Sequence, residues 1–165
     1  MKSLSLSALA VLGLALTACA PNPIVGTWRN SVDVVGSPLV TEFTFAADYT
    51  FATTTRFTYP ADAPMYATCT QINRTTGASW SASESSSTMT LTVTPAAMPN
   101  VTLERTGCHD MADNVPPTQQ DPSTQGMTTL GTYTYTIAND QLSLTSTGNG
   151  MTSTTVFTKV TQTSM

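Results

Sequence analysis

Charge is scarce in this chain. Asp, Glu, Lys and Arg make up 10% of its 165 residues, against ~25% in ordinary soluble domains. Lys and Arg together number six, too few for the basic face that phosphate contacts require, which excludes a nucleic-acid binder. A single histidine leaves structural zinc without a full Cys/His ligand set. Aromatic residues account for 7% of the chain, which fits either a modest, partly polar cavity or a filled core. Long helices draw on Glu, Lys and Arg, and those are the scarce residues. No stretch after residue 18 carries a helical stripe of apolar side chains. Hydrophobic content is nevertheless 40%, so the chain does not have the composition of a disordered one. Threonine and serine fill the place of the missing charges.

Residues 1–18 read MKSLSLSALAVLGLALTA. Lys2 supplies a positive start and Leu4 to Ala18 an apolar stretch. That stretch is shorter than the ~20 residues of a comfortable membrane span. It reads as a secretory signal, to be set aside from the fold. The run Leu16-Thr17-Ala18-Cys19 resembles the lipobox of bacterial lipoproteins. The resemblance implies a diacylglycerol thioether on Cys19, cleavage before it and acylation of the new N-terminus. Two or more acyl chains hold a protein firmly to a membrane, because each buried CH₂ adds about 0.8 kcal/mol. Ala20, rather than Asp, follows the cysteine; by resemblance to lipoprotein sorting this points to the outer membrane. The implied organisation is a signal at 1–18, a lipidated N-terminus and short stiff linker at 19–23, and one domain at 24–165. Cleavage removes Lys2 and leaves five basic and ten acidic residues, a net charge of −5.

Period-two alternation dominates the rest. Leu39, Thr41, Phe43 and Phe45 share one face. Phe51, Thr53, Thr55 and Phe57 follow, with Tyr49 and Tyr59 at the ends of that pattern. Met89, Leu91 and Val93 alternate with threonines, as do Tyr133, Tyr135 and Ile137. Threonine is β-branched and suits a pleated, half-wet face. Ala46-Ala47-Asp48, Asn139-Asp140 and Gly148-Asn149-Gly150 mark turns. The pattern predicts about ten strands, near 25–35, 38–46, 49–59, 65–74, 78–85, 88–94, 100–106, 128–137, 141–147 and 151–161. Pro60 to Pro64 reads as a short loop and 107–127 as one long irregular loop, of the kind that tends to be functional or mobile. The fold class expected is all-β, an antiparallel barrel or sandwich.

Gly26-Thr27-Trp28 opens the first strand and Phe157-Thr158-Lys159-Val160 closes the last. These residues, with the strands between them, resemble the lipocalin-like domains of bacterial lipoproteins. The resemblance implies an up-and-down β-barrel of about 8–10 strands. It implies that Trp28 plugs the barrel base and that Lys159 covers its ring, a cation–π contact of ~0.5–1 kcal/mol when exposed.

With Cys19 lipidated, Cys69 and Cys108 are left, and an oxidising exported setting makes them a disulfide. Consecutive Cys108-His109-Asp110 cannot converge on one centre as a catalytic triad does. His109, Asp110, Asp113, Asn114 and Asp121 lack the spacing of a calcium loop and read as a solvated acidic segment. No constellation for catalysis, cofactor or metal is visible, so the chain reads as a non-enzymatic module. Phe43, Phe45, Phe57, Tyr133 and Tyr135 are the candidate lining of a cavity for a small apolar or amphipathic molecule. The alternative is an envelope interaction or inhibitor module with a filled barrel, acting on a protein partner through the 107–127 segment.

Overall fold

The computed structural model describes residues 22–34, 36–59, 69–85, 88–96, 99–107, 114–119 and 131–161. Ten strands run in chain order: β1 Gly26–Val34, β2 Ser37–Phe45, β3 Thr50–Thr58, β4 Thr70–Ser85, β5 Thr88–Thr94, β6 Asn100–Thr106, β7 Asn114–Gln119, β8 Gly131–Ala138, β9 Gln141–Gly148 and β10 Met151–Lys159. Eight of them close into an antiparallel barrel in the order β1, β2, β3, β4, β5, β8, β9, β10 and back to β1. Each barrel strand lies beside the next in the chain, an up-and-down path. The β6–β7 pair is the one insertion in that path and lies outside the closed wall.

The alternation places side chains as expected for a half-wet sheet. Trp28, Phe43, Phe45, Phe51, Leu91, Tyr135, Leu142 and Phe157 point inward and are buried. The outward positions of β5, β8 and β9 are almost all Thr or Ser, and several pair across strands through their hydroxyls, as in Thr92–Thr132 at 3.4 Å and Thr145–Thr154 at 2.8 Å. A barrel spanning a membrane needs an apolar outer band. The outward faces of β5, β8 and β9 carry hydroxyls in place of such a band.

The turns follow from backbone conformations that few residues accept. Asn139 and Asp140 both take positive φ, 51° and 57°, the geometry of the tightest hairpins, and they join β8 to β9. Asn149 and Gly150 do the same between β9 and β10, at 51° and 76°. Asp48 organises the β2–β3 turn by accepting hydrogen bonds from the Thr50 amide at 3.0 Å and the Thr50 hydroxyl at 2.7 Å.

Three local expectations are corrected. Residues 70–74 and 78–85 belong to one sixteen-residue strand, β4, while 65–68 lie outside the described residues. The register against β3 slips by one residue there, with Thr76 and Gly77 opposite Ala52. Gly77 sits at φ 96°, so a bulge at a glycine absorbs the extra residue and the strand runs on. The 107–127 segment is not a continuous irregular loop, since it contains β7. Pro116 and Pro117 fit because β7 pairs on one side only, with β6, and the register shifts by one residue at those prolines. An edge strand or a bulge tolerates a residue without an N–H. Tyr49 is not part of β3; it occupies the turn at φ 65° and is exposed.

Candidate functional site

The two ends of the barrel are built differently. At the base, Trp28 is fully buried and its indole N–H donates to the Ile24 carbonyl at 2.7 Å. Lys159 pairs with Trp28 across β1 and β10 and holds its Nζ 5.1 Å from the ring centroid. Gly26 makes the space: a Cβ there would lie 3.3 Å from the Lys159 Cε. The base is closed further by an aromatic group. Phe43 meets Phe51 edge-on at 5.4 Å, and Phe45 meets Trp80 edge-on at 5.7 Å. Trp80 also braces the β2–β3 turn, donating its indole N–H to the Ala46 carbonyl at 3.0 Å, with Tyr49 packed on its ring at 5.3 Å.

Above this plug the interior opens into a cup of about 420 Å³. Its floor is Phe43, Phe157, Tyr133 and Leu144, and the rings of Phe43 and Phe157 stack at 4.5 Å. Its wall is Asn30, Thr41, Ser146, Ser153 and Thr155. None of the nine lining residues carries a formal charge. Burial pushes the Tyr133 hydroxyl above its ordinary value of 10.0, so it too is neutral at any physiological pH. Small-molecule sites run from ~300 to 1,000 Å³, mainly apolar with a few placed polar groups. The cup falls at the small end of that range and is more polar than most.

One side of the cup is weakly closed. The ladder between β1 and β10 consists of Trp28↔Lys159 and Arg29↔Thr158, whereas β1 pairs with β2 over nine positions and β10 with β9 over eight. Past Arg29 the two strands part, and the Asn30 side chain bridges them by donating to the Val156 carbonyl at 2.8 Å. Asn30, Ser153 and Thr155 flank this seam and line the cup at the same time.

The expected lining residues divide. Phe43 and Tyr133 form part of the cup floor. Phe45 is 1% exposed and belongs to the base plug. Phe57 packs edge-on against Tyr59 at 4.9 Å, away from the cup. Tyr135 is buried in the core and borders a separate hollow of about 260 Å³ with Met89 and Thr134; burial, with Glu84 nearby, raises its pKa above 10.0. The wall residues and Phe157 went unnoticed in the sequence as site residues. Alternation puts Thr41 and Phe157 inward, but nothing local marks which inward positions lie above the plug.

Cys69 is buried at 1% exposure just before β4. Cys19, Cys108, His109 and the acidic residues Asp110, Asp113 and Asp121 lie outside the described residues. So do the signal, most of the linker and the Pro60–Pro64 loop. Among the described residues no three His, Cys, Asp or Glu side chains gather as a metal site. Comparison with protein-family models, with curated proteins and with solved structures gives no match.

Proposed function

We propose that this chain is a lipid-anchored protein of the bacterial cell envelope whose barrel is a non-enzymatic, lipocalin-like binding module for a small molecule. The observation that carries the binding reading is the cup above the Trp28 plug. It combines about 420 Å³ of space with a stacked Phe43–Phe157 floor. A filled barrel would not leave that volume. Continuous strand alternation, a plugged base and a wider polar half are what a one-ligand barrel needs.

Anchoring rests on the sequence alone: Leu16-Thr17-Ala18-Cys19 supplies the lipidation site and Ala20 favours the outer membrane. A Cys69–Cys108 disulfide belongs to the same exported reading. Cys69 is buried at 1% exposure directly before β4, the strand that pairs with β6. Continuing the β4–β6 register one step past Thr70↔Thr106 sets residue 69 opposite residue 107, which leaves Cys108 one residue away. The alternative interaction reading loses part of its basis, because residues 114–119 are docked as β7 on β6.

The experiment for the binding reading is fluorescence titration with N-phenyl-1-naphthylamine, a neutral dye that brightens in apolar surroundings. The dye should brighten with the native chain. It should not with Ser146→Phe, which places an aromatic ring in the cup. Equal brightening with both proteins, or none with the native chain, refutes the reading. A Cys19→Ala chain that still sediments with membranes refutes the anchor.

A further inference from the structure

Among the described residues, the walls of the cup are hydroxyl-bearing, its floor is aromatic and its lining carries no charge. Thr41, Ser146, Ser153 and Thr155 all point inward, where a barrel filled for stability would carry Val, Leu or Ile. Among the described residues, none of these four hydroxyls has a hydrogen-bond partner, whereas outward threonines such as Thr145 and Thr154 pair with each other. Thr41 and Ser146 are half-buried, while Ser153 and Thr155 are exposed along the open side of the cup, so all four hydroxyls are within reach of a ligand that enters there. Asn30 uses its amide N–H on Val156, and its Oδ1 is left as an acceptor at the rim.

From this arrangement we infer that the ligand is a neutral molecule with one flat apolar face and several hydroxyl groups on the opposite side, of the aryl glycoside or hydroxylated-ring class. The flat face rests on Phe43 and Phe157. The hydroxyls exchange hydrogen bonds with Thr41, Ser146, Ser153 and Thr155, each of which both donates and accepts. An anion or a cation is disfavoured, because a buried charge needs a partner and the lining has none. A purely apolar ligand can rest on the aromatic floor but gains nothing from the hydroxyls of the wall. This inference rests on the binding reading above and narrows it.

The test uses three probes on the full chain. Phenyl β-D-glucoside is neutral and hydroxyl-rich. N-phenyl-1-naphthylamine is neutral and apolar. 1-Anilinonaphthalene-8-sulfonate adds a sulfonate to the same arylamine. Phenyl glucoside should displace the neutral dye, and the sulfonate should bind at least tenfold more weakly than the neutral dye. Thr41→Val and Thr155→Val keep the shape and the strand preference while removing a hydroxyl. Each should weaken phenyl glucoside about fivefold, the worth of one net hydrogen bond, and leave the neutral dye as tight or tighter. If the neutral dye binds but phenyl glucoside does not, the inference falls and the binding reading stands. It also falls if the valine variants weaken both probes equally. If no probe binds, both fall together.

Discussion

Lys159 and Gly26 are linked through a space rather than a bond. The glycine leaves out the Cβ that would come within 3.3 Å of the lysine Cε, and the lysine then lies over Trp28 with its Nζ 5.1 Å from the ring. Three separate sequence positions therefore make one plug. Gly26 also sits at φ 136°, where side chains other than glycine are strained. Gly26→Ala should cost of order 1–3 kcal/mol in chemical denaturation, and Lys159→Ala about 0.5–1 kcal/mol. Trp28→Ala should cost ~3–5 kcal/mol, since it empties the base. The informative measurement is the double variant Gly26→Ala with Lys159→Ala. Removing the lysine stem relieves the steric part of the glycine replacement but not the backbone strain. The double loss should be smaller than the two single losses together. Strict additivity would mean that Gly26 serves the backbone alone.

Acid should loosen the β2–β3 turn through one carboxylate. Asp48 accepts from the Thr50 hydroxyl and then from its amide, and these bonds hold its pKa below the ordinary 3.8. A carboxylate with a folded pKa below its unfolded one adds stability that is present above pH 3.8 and is lost as pH falls through the folded value. Asp48→Asn keeps an oxygen acceptor but cannot titrate. At pH 7 its melting temperature should stay close to that of the native chain. Below pH 4 the native chain should lose stability more steeply than the variant. Parallel acid profiles for the two proteins would rule this role out.

The sequence made the barrel legible because alternation is a property of each strand taken alone. Thr41, Phe43 and Phe45 point inward whatever their neighbours are, and an Asn-Asp or Asn-Gly pair dictates its turn from its own φ preferences. Features that need a second strand were illegible. Gly77 reads as a break, and only the pairing of β4 with β3 shows that it is a bulge inside one long strand. Pro116-Pro117 reads as loop, and only β6 beside it shows an edge strand. Trp80 carries no local sign that its indole will hold a turn 34 positions earlier in the chain. The site divides in the same way. Gly26, Trp28 and Lys159 stood out as residues. The cup did not, because which inward threonines lie above the plug depends on strand stagger around the whole barrel.

The seam between β1 and β10 should be the first part of the barrel wall to open. Its ladder covers two residue pairs, and beyond them Asn30 bridges the strands through its side chain to Val156. Asn30→Ala deletes that bridge at an exposed position. The global cost should be at most about 0.5–1.5 kcal/mol, the net value of one hydrogen bond. Local opening should change more than global stability does, because few contacts resist it. Amide hydrogen exchange should accelerate in residues 30–34 and 151–157 of the variant and stay unchanged in β2, β3 and β9. Uniform acceleration across the barrel would mean that the seam does not open independently.

Reduction should separate the staple from the barrel. In the proposed pairing, Cys69 and Cys108 close a chain loop of about 40 residues, which in the chain-entropy model adds roughly 4 kcal/mol by restricting the unfolded state. Cys69 is 1% exposed and directly precedes β4, whose first six residues pair with β6 on one side and with β3 on the other. Those two ladders do not depend on the sulfur bond. Dithiothreitol should therefore lower the melting temperature while leaving the β-sheet circular dichroism at 25 °C intact. Cys69→Ala with Cys108→Ala should melt where the reduced native chain melts, and dithiothreitol should not shift it. The same melting temperature with and without reductant in the native chain would show that the pair contributes nothing. A large loss of sheet signal on reduction would show that β4 needs the bond to form at all.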